Sequence, residues 1–212
     1  MLKVNEIYHS IQGESTKAGL PCIFIRLTYC NLRCTYCDTA YAFYDGREMN
    51  IEEILAEVRK FECKLIEITG GEPLVQKESL ELMKSLSDEG FEVMLETGGS
   101  LPIQDIDKRV KIIMDLKCPS SGMLKKNLYN NIKYLKPEDE VKFVIETRED
   151  YNWTKDILMQ YNLTKICQVL CSVVFGKLEP VTLAGWILED KLEVRFQLQM
   201  HKFIWEPTTK GV

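Results

Sequence analysis

Cys30, Cys34 and Cys37 stand at a C-x3-C-x2-C spacing inside the run Cys30-Asn31-Leu32-Arg33-Cys34-Thr35-Tyr36-Cys37-Asp38-Thr39. So short a span lets three thiolates converge on one metal centre. Thiolates suit soft, thiophilic metals, chiefly zinc or an iron–sulfur cluster. A closed structural zinc site takes four protein ligands, usually as two separated pairs. No second pair stands at the usual distance here. Three ligands leave one coordination position open, and an open position is where chemistry happens. A zinc knuckle, or three buried structural cysteines, is the alternative on this stretch alone.

Other residues with chemical capacity fall in short polar runs. Ser10-Ile11-Gln12-Gly13-Glu14-Ser15 offers two hydrogen-bonding side chains around a glycine; the bland reading is a plain turn. Arg26 interrupts an apolar run, so it needs a carboxylate partner, an anionic ligand or a solvent-facing position. Thr69-Gly70-Gly71-Glu72-Pro73 carries two glycines, which let backbone approach a ligand closely or simply make a tight turn. Glu96 opens Glu96-Thr97-Gly98-Gly99-Ser100 with a carboxylate able to accept from hydroxyls. Asp115 and Lys117 are two apart, so on an extended segment they share a face; a surface ion pair is the alternative. His201, in Gln199-Met200-His201-Lys202, and His9 are the two histidines. His9 has no evident partner and reads as structural.

These runs lie where a repeating architecture would place them. Val4–His9 alternates loosely and suits an edge strand, and Pro21–Tyr29 is a buried strand feeding the cysteine loop. Asn50 with Glu53 makes a capping box, and Ile51, Ile54, Leu55 and Val58 give one apolar helix face. Strand-like runs then follow at Leu65–Ile68, Phe91–Leu95, Val110–Met114, Glu140–Ile145, Thr164–Leu170 and Val194–Leu198. Helical runs fall at Glu78–Glu89, Leu124–Tyr134, Tyr151–Tyr161 and Val181–Glu189, with none between the Phe91 and Val110 runs. Alternation of this kind predicts an α/β fold with a mostly parallel sheet. In barrels of such units the active site lies at the C-terminal strand ends, where the polar runs fall. The tail Trp205–Val212 shows no element and is expected to fray.

Composition narrows the class further. The 212 residues are 45% hydrophobic and 28% charged, as in an ordinary globular chain expected to form one domain, residues 1–212. A net charge of −5 gives no electrostatic footprint for nucleic acid. No apolar run reaches membrane-spanning length and the first residues do not read as a secretory signal, so a cytoplasmic protein is expected. Eight cysteines in that setting point to metal or redox use. Cys22, Cys63, Cys167 and Cys171 lie in or beside apolar runs and read as buried hydrophobes; Cys118 sits in a polar loop and is given no ligand role.

The cysteine spacing followed by Gly-Gly-Glu-Pro resembles the radical SAM superfamily. Within it, Ser10–Glu14, Phe24–Leu27, Cys30–Thr39, Thr69–Leu74, Glu96–Ser100, Lys117–Ser121 and Gln199–Lys202 together resemble the 7-carboxy-7-deazaguanine synthases. The resemblance implies a reduced, partial (β/α) barrel and a [4Fe–4S] cluster on Cys30, Cys34 and Cys37. It implies S-adenosylmethionine (SAM) on the fourth iron as source of a 5′-deoxyadenosyl radical. The substrate it implies is 6-carboxy-5,6,7,8-tetrahydropterin, held by Ile11, Gln12, Gly13, Glu14, Arg26, Thr69 and His201. SAM would meet Tyr36, Asp38, Gly71, Glu96, Asp115, Leu116 and Lys117, and Mg2+ would take Thr39. Many relatives carry Ser-Pro where this chain has Asp115-Leu116. The resemblance further implies a homodimer and an electron donor such as flavodoxin or ferredoxin. A radical SAM activating enzyme acting on a protein glycyl site is the competing function.

Overall fold

The computed structural model describes residues 1–212. Nine strands form one sheet: β1 (Leu2–Ile11), β2 (Pro21–Leu27), β3 (Arg47–Met49), β4 (Leu65–Gly70), β5 (Glu92–Thr97), β6 (Lys111–Asp115), β7 (Glu140–Ile145), β8 (Gln168–Val173) and β9 (Arg195–Phe196). Their order is β3-β1-β2-β4-β5-β6-β7-β8-β9. β1 runs antiparallel to β2 and β3, and every pair from β2 onward is parallel. The sheet has two ends and does not close, so it is a partial barrel.

Alternation along the strands sorts residues between two cores. On β2, Ile23, Ile25 and Leu27 face outward into the large apolar core shared with the helices. Cys22 and Phe24 face inward and join Leu65, Met94 and Ile113 in a small apolar floor within the barrel. The helices are α1 (Ile51–Val58), α2 (Ser79–Asp88), α3 (Arg148–Tyr161), α4 (Leu163–Ile166), α5 (Pro180–Glu189) and α6 (His201–Ile204). α1 opens with the expected Asn50–Glu53 capping box, and α3 with a second one, Thr147–Asp150.

The loop after β1 turns under the barrel and closes its N-terminal mouth. Thr16 donates from its backbone N (3.0 Å) and Oγ1 (2.5 Å) to Glu140 at the start of β7. Lys111, at the start of β6, lies 2.6 Å from Glu140, and Lys17 lies 2.5 Å from Glu92 at the start of β5.

Four expectations change. β1 is not an edge strand, because β3 pairs along its other side. Leu124–Tyr134 is not an α-helix but two 3-10 turns, Leu124–Lys126 and Tyr129–Tyr134. There Asn127 bonds the backbone N and O of Lys117, and Asn131 bonds the carbonyls of Gly99 and Leu101. Such side-chain bonds to backbone compete with helix formation. The run at Thr164–Leu170 is divided: Asn162, at φ 50°, ends α3, Leu163–Ile166 makes a further helical turn, and β8 starts at Gln168. The Val194–Leu198 run shortens to the two residues of β9. The missing helix between β5 and β6 is as expected.

Candidate active site

A cavity of about 710 Å³ opens over the barrel floor at the C-terminal strand ends. The cysteine loop, leaving β2, forms one wall, and Cys30, Cys34 and Cys37 all line it. Two neighbouring segments hold that loop. On one side, Gly71 N donates to Leu27 O and Glu72 N donates to Tyr29 O (2.8 Å). A Cβ on Gly71 would come within 2.2 Å of Tyr29 O, and one on Gly70 within 2.1 Å of Leu27 O. The glycine pair is therefore demanded first by the protein's own backbone, which packs T-G-G-E-P directly against the base of the cysteine loop. On the other side, Thr35 bonds through N to Ser121 O and through Oγ1 to Ser120 O. Ser120 is fixed in turn by Asp150 of α3.

The thiols have the character of cluster ligands. Burial pushes Cys30 and Cys34 up from the ordinary thiol value; coordination to a metal is what favours the thiolate form. Three cysteines on one loop, all lining an open cavity, are a donor set that fits a [4Fe–4S] cluster.

A second wall forms where the loop after β1 meets the segment after β9. Met200 N donates to Gly13 O (2.9 Å), and a Cβ on Gly13 would meet His201 Nδ1 at 2.3 Å. Gln199 Nε2 donates to Glu14 Oε1 (2.9 Å), and Lys202 reaches both Gln199 Oε1 (2.8 Å) and Asp38 (2.6 Å). Burial alone would raise Glu14, but Lys142, Gln199 and His201 hold its carboxyl below the usual range. Burial draws His201 below its ordinary value. The tail does not stand apart: Glu206 to Thr209, Gly211 and Val212 also line the cavity.

Between the walls lies a charged row. Lys142 of β7 is buried, 2.9 Å from Glu14 Oε2 and also bonded to Glu96. Burial would lower Lys142, but those two carboxylates raise it well above its usual value. Lys117 pairs with Asp115 at 2.8 Å, and both line the cavity. Glu72, fully buried, accepts from Leu74 N, Thr97 Oγ1 and Gly98 N (2.7 Å), tying the end of β4 to the end of β5.

Of the residues singled out from sequence, Ile11, Gln12, Gly13, Glu14, Arg26, Thr39, Tyr36, Asp38, Thr69, Gly71, Glu96, Asp115, Lys117 and His201 all border this cavity with the cysteines. Arg26 has found its carboxylate: Nε donates to Glu6 (2.7 Å) and Nη2 to Tyr8 (2.9 Å). Leu116 does not join them. The alternation that turns Asp115 and Lys117 to the cavity sends the Leu116 side chain into the outer core, fully buried. Cys118 is likewise sealed, beside Thr154, and His9 stacks on Phe61. Sequence reasoning missed Lys142, Glu67 and Glu72. The first two carry the signal that flagged Arg26, a lone charge in an apolar strand run.

The profile of the Radical SAM superfamily matches residues 24–160. A 7-carboxy-7-deazaguanine synthase of Koribacter versatilis is 45% identical, with all of both chains covered. One from Chlorobaculum tepidum is 44% identical over all of this chain and 97% of its own. The crystal structure of QueE from Escherichia coli superposes with a TM-score of 0.78 at 20% identity, covering 94% of each chain. Cysteine-lined wall, strand-end cavity and full-length similarity agree: the chain belongs to the radical SAM superfamily and, within it, to the 7-carboxy-7-deazaguanine synthases.

Proposed function

We propose that the chain converts 6-carboxy-5,6,7,8-tetrahydropterin to 7-carboxy-7-deazaguanine with loss of ammonia, a carbon–nitrogen lyase step in 7-deazapurine biosynthesis of the queuosine type. The observation that carries this reading is the cavity whose one wall is the three cysteines and whose other wall is Gln12–Glu14 braced by Gln199–Lys202. A [4Fe–4S] cluster held by Cys30, Cys34 and Cys37, with SAM beside it, would supply the radical chemistry that the ring contraction needs.

The chain's own residues bind and orient. Cys30, Cys34 and Cys37 hold the cluster. Glu96, Asp115 and Lys117 offer a carboxylate rim and a cation to the hydroxyls and carboxylate of SAM, beside Gly71, Tyr36 and Asp38; Leu116 contributes backbone alone. Glu14, kept ionised, accepts from the pterin's amine and amide edge. Ile11, Gly13 and Thr69 shape the same pocket, and Arg26 and His201 face the substrate carboxylate. Thr39 would offer its hydroxyl oxygen to Mg2+, a hard cation suited to oxygen donors. The tail, through Glu206 to Thr209, Gly211 and Val212, lines one side of the cavity. The chain works as one domain, residues 1–212, in a homodimer in the cytoplasm, reduced by a flavodoxin or ferredoxin. No helix is long and apolar enough to cross a membrane. Full-length similarity to the synthases favours this function over an activating enzyme acting on a protein glycyl site.

The test is anaerobic turnover of the carboxy-tetrahydropterin with reductant, SAM and magnesium, read by mass spectrometry. 7-Carboxy-7-deazaguanine is expected, and Cys34→Ala abolishes both cluster and product. SAM cleavage by the cluster-loaded protein without deazaguanine would keep the radical chemistry and remove this substrate.

A further inference from the structure

Glu67 lies on β4 facing the barrel interior, 4% exposed, at the cavity. Its Oε2 accepts from Gln12 Nε2 at 2.5 Å. Gln12 Oε1 in turn accepts from Glu14 N at 3.0 Å. The orientation of the Gln12 amide is thereby fixed: its oxygen must meet the N–H, so its NH2 must meet Glu67. Both ends of that amide are engaged within the protein. The second oxygen of Glu67 has no protein partner and is not among the sealed, unpartnered polar atoms. It therefore meets the cavity.

The charges around Glu67 decide its form. Facing it are Glu96 from β5, Glu14 from the loop after β1, Lys142 from β7, the Tyr8 phenol from β1 and the Cys22 thiol from β2. Lys142 is the cation among these, and it is already paired with both Glu14 and Glu96. A third carboxylate charge would have no counter-ion of its own in a buried setting, which is costly. The carboxyl without a cation is the one that keeps its proton. Burial, with the Glu96 charge behind it, also pushes Glu67 well above the usual carboxylate range.

We propose that Glu67 reads the substrate as a hydrogen-bond donor: Oε2 holds the Gln12 amide, while the protonated Oε1 donates to the carbonyl or ring nitrogen on the pyrimidinone edge of the pterin. The inference rests on the pterin reading above. It supplies what Glu14 does not. An ionised Glu14 accepts from N–H groups only, whereas the aminopyrimidinone edge carries N–H donors beside acceptors. An acceptor and a donor, linked through the Gln12 amide and the Glu14 backbone, match both halves of that edge.

The test compares wild type, Glu67→Gln and Glu67→Met, each reconstituted anaerobically and assayed with saturating SAM and varied pterin over a pH series. Gln can accept from Gln12 through its oxygen and donate through its NH2, so it mimics the protonated acid. Met fills similar space with no hydrogen-bonding group. Glu67→Gln should keep the pterin KM within about threefold, and Glu67→Met should raise it about tenfold or more. Iron content and the KM for SAM should be unchanged in both. The donor form is lost as pH rises, so the wild-type KM should climb toward alkaline pH while the Glu67→Gln profile stays flat. Gln proving as damaging as Met would make Glu67 an ionised acceptor and overturn the proposal. Met behaving as wild type would remove Glu67 from the substrate. If Met fails to assemble its cluster, the pH comparison of wild type with Gln decides, and parallel profiles overturn the proposal. A cluster-loaded wild type that cleaves SAM but makes no deazaguanine would overturn the functional reading first and this inference with it.

Discussion

Thr39 stands two residues beyond the third cysteine, with Oγ1 3.8 Å from Cys37 Sγ on the cavity wall. Its neighbour Asp38 has one oxygen engaged by Lys202, and the Thr39 hydroxyl is a hard donor in the same corner. Thr39→Ala should raise the magnesium concentration for half-maximal activity by roughly tenfold or more, the scale at which metal-site residues act. Iron per chain should stay the same. A titration of turnover against magnesium, with iron measured on the same sample, checks this; iron lost in the variant would make Thr39 a loop-building residue. Single residues were the scale at which sequence reasoning worked best. A cysteine triplet or a lone arginine in an apolar strand narrows the possibilities, although the same lone-charge signal at Lys142 and Glu67 was passed over. Leu116 shows the limit: a motif includes it, but the pleat turns it away from the cavity.

At the scale of elements, the closed N-terminal mouth is anchored by one buried carboxylate, Glu140, beside the more exposed Lys17–Glu92 pair. The Glu140 side chain is 0% exposed and binds Lys111 from β6 and Thr16 from the loop after β1. Breaking a buried pair by removing one partner's charge typically costs about 3 kcal/mol or more. Glu140→Gln should lose stability on that scale, measured by urea denaturation of the cluster-free protein. The same loop carries Gln12 and Glu14, so the pterin KM should rise as well. An unchanged denaturation midpoint would mean that the loop is held elsewhere. Elements with strong local signals, such as α1 with its capping box, were legible in advance. Leu124–Tyr134 was not, because Asn127 and Asn131 bind backbone far from them in sequence.

For the molecule as a whole, Lys142 is the joint. It links the loop after β1, through Glu14, to the rim at the end of β5, through Glu96. Removing its charge leaves two carboxylates facing each other over the cavity. Lys142→Met should weaken both SAM and pterin, each KM rising by about tenfold or more. A change confined to one ligand would show that the two walls respond independently. This coupling spans residues 14, 96 and 142, and no sequence window contains it.

The sequence by itself determined the chemistry and the class of fold. Thiolate spacing, glycine pairs and isolated charges are constraints on residue type, and hydrophobic period with run length and turn residues separates most strands from helices. The tertiary structure decided which of those groups meet. It brought Gly13 against His201, Glu14 against Gln199, and the tail to one side of the cavity. It also chose which carboxylates have a cation: Lys142 serves Glu14 and Glu96 and leaves Glu67 without one. The physical reason is that residue types travel with the chain. Their burial, their partners and hence their protonation arise only when strands distant in sequence lie side by side.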